Sequence, residues 1–201
     1  RVNLKVFYSF KEISRSPGSH TKHELAKACL FLNRTSFSGI VASSSGPIGG
    51  AKQQSAYSID CRFNKESIIK KIEYIAAFNK QVIVLSYDWK NAISYALKNL
   101  NRKELNKSIF YFDPPFFHKA NNLYNTYFNN EQHVALSVFL HKFRYLWILS
   151  YDNTPEIHSL YLKHNGKTLN IEMPYSINSH AKRLASELMI TPLNMPQHEC
   201  L

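Results

Sequence analysis

Ser108-Ile109-Phe110-Tyr111-Phe112-Asp113-Pro114-Pro115-Phe116 is the stretch that decides the fold. Ser108 to Phe112 reads as a buried strand, with Ile109 to Phe112 of the apolar, aromatic kind, and the run stops abruptly at Asp-Pro-Pro. Each proline disfavours the helical conformation in the residue before it, so Asp113 and Pro114 are both expected to be extended. Neither proline has an N–H, so the loop cannot close on itself through those groups. The product is a stiff platform that presents one carboxylate, backbone carbonyls and the Phe116 ring. Its surroundings are densely aromatic: eight of the nineteen residues from Phe110 to Phe128 are Phe or Tyr.

The same strand-then-helix rhythm extends to either side. Upstream, Gln81 to Ser86 (QVIVLS) reads as a buried strand, followed by Asp88 and Trp89 and a helix over Asn91 to Asn99. Downstream, Glu131 to Phe143 reads as a helix with Leu136, Phe139, Leu140 and Phe143 at helical spacing. Tyr145 to Ser150 then reads as a strand, Pro155 opens a short helix towards Tyr161, and Thr168 to Pro192 supplies terminal strands around a loop. Alternation of this kind predicts an α/β fold with a mainly parallel sheet covered on both faces. Ligands of such sheets bind beyond the carboxyl ends of the strands. Three ends here are polar or special: Asp88-Trp89, Asp113-Pro114-Pro115-Phe116 and Ser150-Tyr151-Asp152-Asn153.

The N-terminal part is organised differently. A helix is expected over Lys22 to Leu32 with Thr21 as its cap, and another over Lys65 to Phe78 capped by Asn64. The second has an apolar face of Ile68, Ile69, Ile72, Ile75 and Ala76. Between them Asn33 to Tyr57 is polar, and it holds four of the six glycines of the chain. A loop of this length in a compact domain is functional or disordered.

Composition narrows the classes. The chain has 201 residues with 44% hydrophobic residues, which excludes wholesale disorder and predicts a substantial core. No apolar run reaches the length of a membrane span, and no secretory segment follows Arg1, so a cytoplasmic protein is expected. Three scattered cysteines and nine histidines have neither disulfide nor zinc-ligand spacing, so no metal is expected. The net charge of +11 favours a polyanionic partner or an anionic surface. From Leu25 to Ile59 there is no carboxylate, while Lys27, Arg34 and Lys52 remain, as expected of a surface that lies against phosphates.

The Asp-Pro-Pro platform suits one chemical task. An exocyclic amine of a base offers two N–H donors, and the Asp113 carboxylate and Pro114 carbonyl are two acceptors placed side by side. Phe116 would stack on the ring of the extruded base. The sequence also resembles the Dam-like class of DNA adenine-N6 methyltransferases, whose signature is Asp-Pro-Pro-Tyr. The resemblance runs through FLNRTSFSGI (Phe31 to Ile40), LSYDW (Leu85 to Trp89), FDPPFF, LYNTYF (Leu123 to Phe128), EQHVALSVFL, WILSYDNTPEIHSLY and RLASELMIT (Arg183 to Thr191), in one collinear order. Phe116 stands where the family has tyrosine, which keeps the stacking face and loses a hydroxyl.

The resemblance implies a Rossmann-like methyltransferase sheet with an inserted target-recognition lobe. Residues 1–32 and 65–201 would form the catalytic domain and 33–64 the recognition region. It implies S-adenosylmethionine as methyl donor, with Asp88, Trp89 and Asp113 at the cofactor and Asp113, Pro114, Pro115 and Phe116 at the base. Asn33, Arg34, Ser36, Lys52 and Gln53 are the candidates for contacting double-stranded DNA, through base edges or phosphates. Tyr124 and Tyr127 either close over the flipped base or serve as core aromatics. The family's Phe-x-Gly-x-Gly cofactor turn has no counterpart here, because Gly46-Pro47-Ile48-Gly49-Gly50 neither follows a strand nor opens a helix. That turn and the first strand are expected before Arg1, so a separate N-terminal segment is a candidate partner, as is a cognate restriction endonuclease. Two other readings stay open: a non-catalytic DNA-binding or regulatory remnant, and methyl transfer to an RNA base or a protein amide.

Overall fold

Asn3 starts the first helix by accepting the Val6 N–H at 2.9 Å, and α1 runs over Leu4–Arg15. In the computed structural model, residues 1–41, 45–117, 128–161, 167–175 and 183–194 are described, and the chain divides into compact units at Leu85/Ser86. In the first unit α2, Lys22–Thr35, carries the expected Thr21 cap, completed by Glu24 into a reciprocal capping box. It continues three residues past the expected end, and the Thr35 hydroxyl bonds back to the Phe31 carbonyl at 2.7 Å. Phe7 of α1 and Phe31 and Leu32 of α2 make a small core with Ile59, bordered by Phe10, Val41 and Phe63. Residues 1–32 and 33–64 therefore share one core, and the boundary expected at residue 32 is not a boundary between compact units.

The described residues of the glycine-rich stretch are tied together. Ser36 pairs with Pro47 across an isolated bridge, and the Ile48 N–H reaches the Thr35 carbonyl at 2.8 Å. After it α3, Lys65–Ala76, is capped by Asn64 as expected, but none of its residues is buried. The strand expected over Gln81 to Ser86 does not form, and Val84 is 89% exposed. β-Branched residues favour a strand only where a neighbouring strand and a packed face receive them, and this run has neither in its unit.

The second unit is mixed α/β. It opens with α4, Trp89–Asn99, and the short α5, Arg102–Leu105, followed by β1, Ile109–Phe112. Next come α6, Asn130–Lys142; β2, Leu146–Asp152; and α7, Pro155–Tyr161. The strands β3, Lys167–Tyr175, and β4, Arg183–Thr191, complete a sheet of order β1-β2-β4-β3. Only β1 and β2 are parallel; β4 runs antiparallel to both β2 and β3. The expectation of a mainly parallel sheet is thus corrected, because the two terminal strands return as an antiparallel pair and β4 inserts beside β2.

Burial alternates along β2, so Trp147, Leu149 and Tyr151 enter the core with Leu136 and Leu140 of α6, Ile93 of α4 and Ile157 of α7. The opposite face carries Ile109, Tyr111 and Leu146 exposed, so among the described residues no element covers that face over β1 and β2. No helix among the described residues is long and apolar enough to cross a membrane.

Candidate active site

The parallel register pairs Phe112 with Leu149, so the next residues, Asp113 and Ser150, lie side by side where β1 ends. The Ser150 hydroxyl donates to Asp113 Oδ1 at 2.9 Å, and Tyr111 Oη lies 2.9 Å from the same Ser150 Oγ. Two residues further along β2, Asp152 Oδ1 accepts the Phe117 N–H at 2.9 Å. Ser150 and Asp152 are on one side of their strand, and they hold the two ends of the Asp113–Phe117 loop. The polar end Ser150-Tyr151-Asp152 is visible in the sequence, but its partnership with Asp113 depends on register and crosses 37 residues.

A cavity of about 950 Å³ opens beside this loop, between β1, α4 and α6. Its volume is at the upper end of what small-molecule and cofactor sites occupy. Asp113, Pro114 and Pro115 form one wall, and Asp88 and Trp89 form another. The Asp88-Trp89 pair, which here starts α4 rather than ending a strand, and the loop at the end of β1 thus face one space although they are 25 residues apart. The Asp88 carboxylate also caps α4: Oδ1 accepts the Asn91 N–H at 2.9 Å and Oδ2 the Asn91 side-chain amide at 2.6 Å. Each oxygen retains a lone pair for a further donor.

Phe116 is half-buried and is not part of the cavity wall, whereas Phe128 is. Tyr87 and Gln132 also line the space and escaped the sequence reading, since nothing local distinguishes them. Behind the loop His133 is fully buried on α6, with its Nδ1 bonded to the Tyr151 hydroxyl and its ring 4.8 Å from that of Phe117. Burial pushes the His133 pKa below the ordinary value of 6.5, against the opposing pull of the Asp152 carboxylate. Tyr124 and Tyr127 lie outside the described residues.

The candidates for DNA contact fare unevenly. Arg34 donates through Nε and Nη2 to the Arg62 carbonyl at 2.9 and 2.7 Å, and Asn33 Nδ2 donates to the Gly39 carbonyl at 3.1 Å. Gln53 Nε2 donates to the carbonyls of Ile48 and Gly50, each at 2.7 Å, and Oε1 accepts the Ile59 N–H at 2.9 Å. Ser36 is fully buried. These side chains tie the stretch to itself, so a base-reading role for Gln53 and a DNA contact by Ser36 do not fit this conformation. Lys52 is exposed.

No group of three or more His, Cys, Asp or Glu among the described residues is arranged to hold a metal. No protein-family model matches the chain, and no curated protein matches it.

Proposed function

We propose that the chain is an S-adenosylmethionine-dependent methyltransferase that acts on the adenine N6 amine of double-stranded DNA. The observation that carries this reading is the single cavity shared by Asp88 and Trp89 with Asp113, Pro114 and Pro115. S-adenosylmethionine, when bound, supplies a methyl group on a positively charged sulfur. The cavity fits it in size, and its aromatic walls (Trp89, Phe128, Tyr87) suit flat heterocycles.

The residues of this chain do the positioning. Asp113 and the Pro114 carbonyl would accept the two amine hydrogens and leave the nitrogen lone pair free to take the methyl group, whose former bonding pair would stay on the sulfur as a neutral thioether while the nitrogen sheds one proton to solvent. The carboxylate also offsets positive charge as it develops on that nitrogen, so catalysis comes from orientation and electrostatics without a covalent enzyme intermediate. Unit 1 supports the nucleic-acid partner: residues 1–85 hold thirteen Lys and Arg against five Asp and Glu, a net +8 of the total +11. A cytoplasmic role in a restriction-modification system, with a cognate endonuclease, follows from the same reading.

The net charge of +8 on the first unit fits a second reading equally, DNA binding without turnover. The deciding experiment is transfer of labelled methyl groups from S-adenosylmethionine to unmethylated duplex DNA. Label on adenine amines, lost in Asp113→Ala by roughly a hundredfold or more, is the expected result. Salt-sensitive duplex binding with no label would favour the second reading.

A further inference from the structure

We propose that Ser150 and Tyr111 are positioning residues that fix the orientation of the Asp113 carboxylate, a role that rests on reading Asp113 as the acceptor of the substrate amine. Asp113 is exposed, and an exposed carboxylate turns freely about its side-chain bonds unless a donor holds it. Ser150 is that donor. A serine hydroxyl has one proton, and an ionised carboxylate only accepts. Ser150 therefore donates to Asp113 Oδ1, and the contact between Tyr111 and Ser150 has a defined sense: Tyr111 donates and Ser150 accepts.

The relay runs in one direction, Tyr111 to Ser150 to Asp113, and each link polarises the next. It occupies Oδ1 and leaves Oδ2 for the amine. All three residues are set by strand geometry. Tyr111 and Asp113 lie two apart along β1 and its extension, and Ser150 follows Leu149, the register partner of Phe112. Sites held by strands in this way are more exact than sites carried on a free loop.

Steady-state kinetics of labelled-methyl transfer to unmethylated duplex DNA test the relay in the wild-type chain and in Ser150→Ala, Ser150→Thr, Tyr111→Phe and the Tyr111→Phe/Ser150→Ala double variant. Loss of a hydrogen bond to a charged group is expected to lower kcat in Ser150→Ala by about 10- to 100-fold. Both KM values should stay within about twofold, since orientation rather than binding is lost. Ser150→Thr keeps the hydroxyl and should retain most of the wild-type kcat. Tyr111→Phe should fall less than Ser150→Ala, and the double variant no further than Ser150→Ala, because Tyr111 acts only through Ser150. A Ser150→Ala kcat equal to wild type, or independent multiplying losses in the double variant, overturns the relay and leaves the methyltransferase reading intact. A wild-type chain that transfers no methyl group overturns both. Should Ser150→Ala melt below the assay temperature, Tyr111→Phe carries the test, because Tyr111 is 61% exposed and its hydroxyl is not part of the core.

Discussion

Glycine at position 49 is required by two separate facts. Its φ is +83°, a conformation that L side chains rarely adopt, and a Cβ there would lie 2.5 Å from the Tyr57 carbonyl oxygen. Gln53 packs against the same spot, and its side chain is the clamp that gathers the carbonyls of Ile48 and Gly50 and the N–H of Ile59. Ile59 in turn belongs to the small core of the first unit. Gly49→Ala should therefore destabilise that unit by about 1–3 kcal/mol, read as a lower midpoint in urea unfolding, whereas Gly18→Ala, with open space around it and no unusual φ, should change little. At this scale the sequence was informative about conformation and poor about employment. Asp-Pro-Pro announces a stiff extended loop, since the prolines act on their immediate neighbours. Gln53 looks like a base reader because its chemistry permits it, and only the folded chain shows both ends of its amide bonded to its own backbone.

Elements were legible where the determinants were local. Thr21 and Asn64 mark helix starts through contacts three residues long, and α2 and α3 begin where those caps stand, whereas α4 starts at Trp89 rather than Asn91 because Asp88, read as a strand end, is its cap. The QVIVLS run misleads for the complementary reason: a strand depends on what lies beside it, and no residue within the run reports that. The antiparallel return of β3 and β4 is likewise a pairing choice hidden from the periodicity. Pairing also makes α6 and β2 dependent on pH. His133 of α6 is enclosed against Tyr151 of β2 and held neutral by burial, so its folded-state pKa lies below 6.5. The unfolded chain takes up a proton near its ordinary value while the folded chain resists it. The stabilisation is thus complete above about 6.5 and declines as the pH falls through that value towards the lower folded-state one. Thermal unfolding followed between about pH 7.5 and 5 should show the melting temperature falling with acidification, more steeply in wild type than in His133→Gln, whose side chain does not titrate. Parallel profiles would remove His133 as the cause.

At the scale of the whole molecule, charge separates the units. The first unit has a net charge of +8, and the second, with twelve Lys and Arg against nine Asp and Glu, only +3. The cavity belongs to the less charged unit, so the proposed function would give affinity for a polyanion and chemistry on a base to different parts of the chain. Phosphate contacts release condensed counterions, and the logarithm of the binding constant falls with the logarithm of salt at about −0.9 per contact on duplex DNA. Four contacts among the thirteen cations of the first unit would give a slope of about −3.6. On α3, Lys70 and Lys71 flank a groove with Ser67 and Tyr74, which makes them the natural place to probe. Neutralising them with Lys70→Gln and Lys71→Gln should reduce the slope by up to about one for each that touches phosphate, with methyl transfer at saturating DNA retained. Lys98→Gln and Lys103→Gln, in the second unit, should leave the slope unchanged. The opposite pattern, with the slope responding to Lys98 and Lys103 and not to the α3 pair, would place the DNA on the second unit and end the division of labour that the charge distribution suggests.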